Sequence, residues 1–249
     1  MNVYFLGTAG ARYVVAKQLR SSAGTVLEED GEFLLLDPGP GTLVYLAKHK
    51  LPVEKIKSIL LSHKHLDHSA DLNIIVDAIT EGAFKRRGRL FIPKEAWEEG
   101  ILLPYLKEAL AETIFLKEKE VYQTSKFSFI TTCRLYHSAE TYGFIFSLKN
   151  GKRLGFLVDT AFFEELIPEF QGVNYFIVNL VRYDPKEGVL HLSVRDVRKL
   201  LEALRPEVAV ITHFGMTMLR ANPFKVAKEL SKELNLRVLT AYDGLKLTF

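Results

Sequence analysis

Short apolar runs bounded by Gly, Pro and Asn alternate along the chain with stretches whose apolar residues recur at helical spacing. Residues 2–7 form a first strand, and Gly7-Thr8-Ala9-Gly10 breaks it into a loop that runs to about Ser22 and carries Arg12, Lys17 and Arg20. Segments 24–29 and 32–37 predict a hairpin turning at Asp30-Gly31. Its second strand ends in Asp37-Pro38-Gly39-Pro40-Gly41, which suits neither a helix nor a central strand. Helices are predicted over 42–50 and over 70–81, the latter with Leu72, Ile75, Val76 and Ile79 on one face and Gly82 closing it. Between them, Ile59, Leu60 and Leu61 read as a strand buried on both faces. Segment 90–92 is a strand, 93–111 two short helices broken at Pro104, and 113–148 a series of strands. An Asn-Gly turn over 149–152 returns the chain into a strand at 153–158, and 174–181 is another buried strand. Ser193, with Asp196 three residues on, caps a helix over 194–204. A strand over 208–212 follows, then a helix over 223–234 with Phe224, Ala227, Leu230 and Leu234 at core spacing, and 237–249 finishes the sheet.

Composition narrows the class. A length of 249 residues suits one large domain, 1–249, and 48% hydrophobic with 25% charged residues is ordinary globular protein. With no run of eighteen apolar residues and no basic-then-apolar leader, neither a membrane span nor a signal peptide is expected, and a cytoplasmic location follows. The one cysteine, Cys133, leaves no partner for an internal disulfide, fits a reducing compartment and rules out a zinc ribbon. Its neighbours Phe129, Ile130, Thr131 and Thr132 look like a strand, so a packed small hydrophobe is expected. A net charge of +3 is too small to argue for nucleic acid by itself.

Chemistry concentrates in 58–68, where the apolar run ends abruptly in His63, His65, Asp67 and His68. Such strand ends are where α/β proteins carry ligand loops. His63 and His65 can converge on one cation while Asp67 and His68 turn toward a second. Imidazole nitrogen with carboxylate oxygen suits zinc, and also manganese or iron, whereas calcium prefers an all-oxygen shell. His137, at the end of a strand, can point into a cleft. His49, between Lys48 and Lys50 at a helix C-terminus, is placed for the helix dipole instead. The basic run Lys85-Arg86-Arg87-Gly88-Arg89 reads first as a solvated loop and second as a phosphate contact.

The segment His63-Lys64-His65-Leu66-Asp67-His68 resembles the HxHxDH signature of the metallo-β-lactamase fold superfamily. The resemblance extends through the Asp37-Pro38-Gly39 turn, His137, Asp159 in Gly-Phe-Leu-Val-Asp-Thr, and His213 in Ala-Val-Ile-Thr-His-Phe-Gly, in order. It implies a four-layer αβ/βα sandwich and a cofactor of two divalent ions. His63, His65 and His137 would hold one metal, Asp67, His68 and His213 the other, and Asp159 would bridge them. Asp37 would orient a ligand histidine. The ions would share a water of lowered pKa, making the reaction a hydrolysis in which Asp67 also serves catalysis. His191, just before a helix, looks like the histidine that assists at phosphorus in the branch holding the tRNA 3′-processing ribonuclease and related phosphodiesterases. Two departures speak against tRNA processing. Only one hairpin fits between His137 and Asp159, where that ribonuclease inserts an arm, and Val178-Asn179-Leu180-Val181 stands where a His-Glu-Ala-Thr-type segment is usual. Lys64 and Leu66 fill the positions at which di-iron oxygen-reducing members carry a glutamate.

Three functions follow. The first is a phosphodiesterase acting on a cyclic or short nucleotide. The second is a lactonase or thioesterase in which Tyr183 or Tyr142 helps an oxyanion. The third is a metal-holding nucleic-acid-binding protein with little catalysis, supported by Arg12, Lys17, Arg20, Lys85, Arg86, Arg87 and Arg89. Expected partners are a small-molecule or nucleotide substrate, with nucleic acid as a further candidate and no membrane; a homodimer is a candidate assembly, on which the sequence does not decide. Specificity is assigned to the loops 9–22, 82–89 and 182–190.

Overall fold

The computed structural model describes residues 1–249. The first sheet takes in β1 (Asn2–Phe5), β2 (Thr25–Glu29), β3 (Glu32–Leu36), β4 (Ile56–Leu60), β5 (Arg89–Ile92) and β6 (Glu112–Phe115). The second takes in β7 (Val121–Gln123), β8 (Ser128–Arg134), β9 (Tyr142–Ser147), β10 (Arg153–Leu157), β11 (Tyr175–Asn179), β12 (Val208–Thr212) and β13 (Val238–Thr240), while β14 (Leu245–Thr248) returns to the edge of the first. Each sheet is antiparallel at one side and parallel at the other: β3 to β6 run parallel, as do β10 to β13. The expected final piece of one sheet is therefore two strands in different sheets. Asp30 and Gly31, both at positive φ, make the predicted β2–β3 turn.

The helices are α1 (Ala11–Ala16), α2 (Thr42–Lys48), α3 (Leu66–Ser69), α4 (Leu72–Ile79), α5 (Lys94–Glu98), α6 (Pro104–Ala109), α7 (Leu166–Glu169), α8 (Val194–Leu204), α9 (Met216–Ala221) and α10 (Pro223–Leu234). None is long and apolar enough to cross a membrane.

The continuous apolar runs of β3, β4 and β5 are explained by cover on both faces. Phe33, Leu35, Ile59, Leu90 and Ile92 pack outward with Leu46 of α2 and Leu72, Ile75, Val76 and Ile79 of α4. The alternate residues Leu34, Leu36, Leu60 and Phe91 face the second sheet, meeting Phe129, Phe144 and Phe146. On that sheet's far side lie Val197, Leu200 and Leu201 of α8 and Val226, Ala227 and Leu230 of α10. The result is helix, sheet, sheet, helix, the αβ/βα sandwich expected.

Three sequence expectations need correction. Residues 11–16, expected as loop, form α1, with Val14 as the one buried anchor in six residues. The helix expected over 70–81 is the shorter α4, because Asp71 stays outside it as N-cap and accepts from the N–H groups of Gly41 and Leu43 at the start of α2. Phe224 is 52% exposed, and Val226 takes the core position on α10 instead, as the buried stripe of that helix runs through Val226, Ala227, Leu230 and Leu234.

Candidate metal centre

Every ligand-type residue found in the sequence lies in the loop, or the short helix α3, that follows a strand. His63 and His65 follow β4, Asp67 and His68 lie in α3, His137 follows β8, Asp159 follows β10 and His213 follows β12. The C-terminal ends of β4, β10 and β12 open onto the same edge of the sandwich, where an open α/β sheet places its ligands. Two close approaches fix the loops there. A Cβ on Gly39 would lie 2.1 Å from the Asp67 carbonyl oxygen, and one on Gly10 would lie 2.3 Å from that of His213. His213 and Asp37 themselves hold left-handed backbone, with φ of 60° and 51°.

The side chains gather in two groups. In the first, His65 Nδ1 is 3.1 Å from His63 Nε2 and 3.1 Å from His137 Nε2. In the second, His68 Nε2 and His213 Nε2 each lie 3.4 Å from an Asp159 oxygen, with Asp67 Oδ2 at 3.9 and 3.7 Å. Asp159 thus stands with the second group, beside Asp67, His68 and His213. A zinc–nitrogen bond of about 2.0–2.1 Å places neighbouring ligands about 3.3 Å apart, so both groups have cation-shell spacing. A cavity of about 40 Å³ lined among others by Asp37, Asp67, His68, Asn179 and His213 has room for an ion or a water.

The chemistry of the donors fits divalent metal. His68 Nε2 and His213 Nε2 are buried without a hydrogen-bond partner, and Asp159 is 2% exposed, a buried carboxylate that a cation would offset. Four histidines have the nitrogen that faces away from their group engaged. His63 Nδ1 meets Ser62 Oγ at 2.9 Å, His65 Nε2 meets Ser138 Oγ at 3.3 Å, His137 Nδ1–H donates to the Leu190 carbonyl at 3.1 Å, and His68 Nδ1 meets an Asp37 oxygen at 2.8 Å. Such partners hold the proton on the outer nitrogen and leave the inner lone pair free. Asp37 also accepts from the Ser62 N–H and hydroxyl, so one carboxylate supports a histidine in each group. Asn179 donates to Asp159 Oδ1 at 2.9 Å. Ser62, Ser138 and Asn179 escaped the sequence reading, although Ser62 adjoins the motif and could have been questioned for that reason.

Burial pushes His63 well below the ordinary imidazole range, lowers His65, and brings His137 down to about 4. These rings are neutral near pH 7, ready to donate lone pairs without first losing protons. His68 runs the other way: burial opposes its charge, yet Asp67 and Asp37 raise it well above the usual value. Asp159 would be pushed up by burial, but His213 and His191 hold it well below the usual carboxylate range.

His191 lies between the groups, its Nδ1 3.6 Å from Asp159 Oδ2 and its ring 5.2 Å from that of His137. That nitrogen is buried and unpartnered, and burial lowers the ring's pKa despite the pull of Asp159. Other candidates lie elsewhere. Tyr142 is buried with its hydroxyl donated to Glu140, which leaves none for an oxyanion. The basic run leads into the first residue of β5, Arg89, and since β5 runs parallel to β4, it stands at the end of the sheet opposite the ligand loops. There Arg86 and Arg87 donate to the Leu110 and Ile79 carbonyls, Lys85 pairs with Glu81 and Arg89 with Glu112. The loop 82–89 therefore does not border the site. His49 caps α2 against Gly244.

Comparison with known proteins agrees with this geometry. A family model described as the beta-lactamase superfamily domain matches residues 33–214. An uncharacterised protein of Methanocaldococcus jannaschii is 30% identical over 99% of this chain and 94% of its own length. The ribonuclease Z of Borrelia recurrentis is 25% identical across 99% of this chain and 96% of that protein, in an alignment of 309 residues. The crystal structure of the metallo-beta-lactamase fold protein YhfI from Bacillus subtilis superposes with a TM-score of 0.81 at 17% identity, covering 99% of this chain and 98% of that one. The chain is a member of the beta-lactamase superfamily.

Proposed function

We propose that this protein is a dinuclear metal-dependent hydrolase acting on phosphodiesters, with a cyclic or short nucleotide as its substrate. The observation that carries the reading is His191, set 3.6 Å from Asp159 at the junction of two cation-shaped groups and 20% exposed. Two divalent cations, zinc or alternatively manganese or iron, would supply Lewis acidity and a hydrolytic water of lowered pKa. His63, His65 and His137 would hold one cation, and Asp67, His68 and His213, with Asp159 beside them, would hold the other. His191 does the remaining work at the substrate. Its ring would pass a proton to the departing oxygen, and Asp159, 3.6 Å away, offsets the charge while the ring carries it. Similarity to a ribonuclease Z supports phosphorus over carbon. The single β9–β10 hairpin between His137 and Asp159 supports a substrate smaller than tRNA.

The carbonyl reading keeps Tyr183 alone, since Tyr142 is engaged. The nucleic-acid reading keeps Arg12, Lys17 and Arg20, on a segment bonded to Phe214 beside His213. The test joins metal analysis to turnover of bis-(p-nitrophenyl) phosphate and of an ester analogue. H191A is expected to retain two metals and lose about 10²–10⁴-fold in phosphodiester turnover. Unchanged turnover would remove His191 from the mechanism, and a faster ester reaction would move the assignment to carbonyl substrates.

A further inference from the structure

The three histidines of the first group come from different sheets. His63 and His65 follow β4 of the first, whereas His137 follows β8 of the second. Sheets packed face to face through apolar side chains fix their relative slide only loosely, because dispersion contacts are non-directional. Something polar must set the 3.1 Å between His65 and His137.

A group of side chains outside both clusters spans that gap. Lys64, between the two motif histidines, bonds Glu95 Oε1 at 2.9 Å and also meets Glu99, tying the β4 loop to α5. The other oxygen of Glu95 accepts the Glu140 backbone N–H, and the Glu95 backbone N–H returns a bond to Glu140 Oε2 at 2.8 Å. Glu140 lies three residues after His137 and its second oxygen takes the Tyr142 hydroxyl at 2.8 Å. Tyr142 N–H donates to the Ser62 carbonyl at 3.3 Å, which closes the ring on the residue before His63. Glu95 is where the two loops meet, holding Lys64 with one oxygen and the His137 loop with the other.

We infer that Glu95 is a positioning residue for the first metal group, a clasp across the two sheets that sets where His137 stands relative to His63 and His65. The inference rests on the two-cation reading above. Because Glu95 and Lys64 are partly exposed, at 33% and 20%, their charge attraction is screened and the bond to the Glu140 N–H carries the positioning. A glutamine preserves that acceptor. Alanine removes it, and aspartate is one methylene too short to reach it.

The test is a cobalt(II) titration of the full chain, following the d–d absorption, with wild type, E95A, E95D and E95Q, and with H65A to identify the equivalent bound by the first group. Wild type is expected to bind two equivalents. E95A and E95D should weaken the equivalent lost in H65A by about ten- to a hundredfold, the range for partners that orient ligands, and leave the other within about threefold. E95Q should stay within about threefold of wild type at both. If E95A does not fold, E95D carries the comparison. Equal weakening of both equivalents, or none, overturns the clasp. Wild type that takes up no cobalt overturns the two-cation reading, a result visible before any variant is measured.

Discussion

Replacing Asp37 with asparagine isolates the tautomer control described above. The backbone at Asp37 is left-handed, at φ 51°, which asparagine adopts as readily as aspartate, so the change is confined to the side chain. One oxygen accepts the Ser62 N–H at 2.7 Å, and the amide carbonyl can keep that bond. The other, 2.6 Å from Ser62 Oγ and 2.8 Å from His68 Nδ1, becomes an NH₂. Ser62 adapts by rotating its hydroxyl. His68 cannot, because an amide donor facing Nδ1 drives the imidazole proton to Nε2, the nitrogen that faces Asp159 and His213. The ring must then give up a bond to charge, about 1.5–3 kcal/mol, before it can ligate. At about 1.4 kcal/mol per decade this matches the ten- to hundredfold loss seen when such partners are changed. The measurement is metal affinity by calorimetric titration, with thermal unfolding of the metal-free protein to show that the fold persists. Affinity within twofold of wild type would show that Asp37 merely braces its turn.

Two further outcomes are expected. Burial first, and Glu169 beside it, push the Cys133 thiol up to about 12, so at pH 8 it should resist iodoacetamide until the chain is unfolded; rapid alkylation of the native protein, read by mass spectrometry, would contradict that. S193A removes the side chain that bonds Asp196 at 2.7 Å in the capping box of α8, and should cost about 0.5–2 kcal/mol, lowering the unfolding midpoint by about 1–8 °C. No shift in a calorimetric scan would mean that packing alone holds the helix.

Elements with a strong local signature were legible. The α8 helix carries both its cap and its apolar face within eleven residues, and the β2–β3 hairpin announces its turn with Asp30-Gly31. The ligand-type residues other than His137 follow strands whose apolar runs end where the ligands begin, whereas β8 before His137 closes in Thr131-Thr132-Cys133-Arg134. What the sequence hid was relational. Nothing local says that the basic run starts at the blunt end of β5, or that Tyr142 spends its hydroxyl on Glu140, since both depend on which strands pair. Glu95 and Glu140 are 45 residues apart and look like surface acids until the sheets are superposed. The six residues of α1 carry one buried anchor, too little periodicity to separate helix from loop.

The glycine contacts at the site bear on how such a protein can change. Any side chain at Gly39 or Gly10 would collide with the backbone of Asp67 or His213, so those positions are closed to variation without moving a ligand. Leu66 and Tyr136, next in the chain to Asp67 and His137, are by contrast 75% and 61% exposed. A lineage, or a directed-evolution library, can therefore exchange the chemistry of the mouth one residue at a time while the frame stays fixed. Selectivity is free to drift in this architecture, and the metal-holding geometry is not.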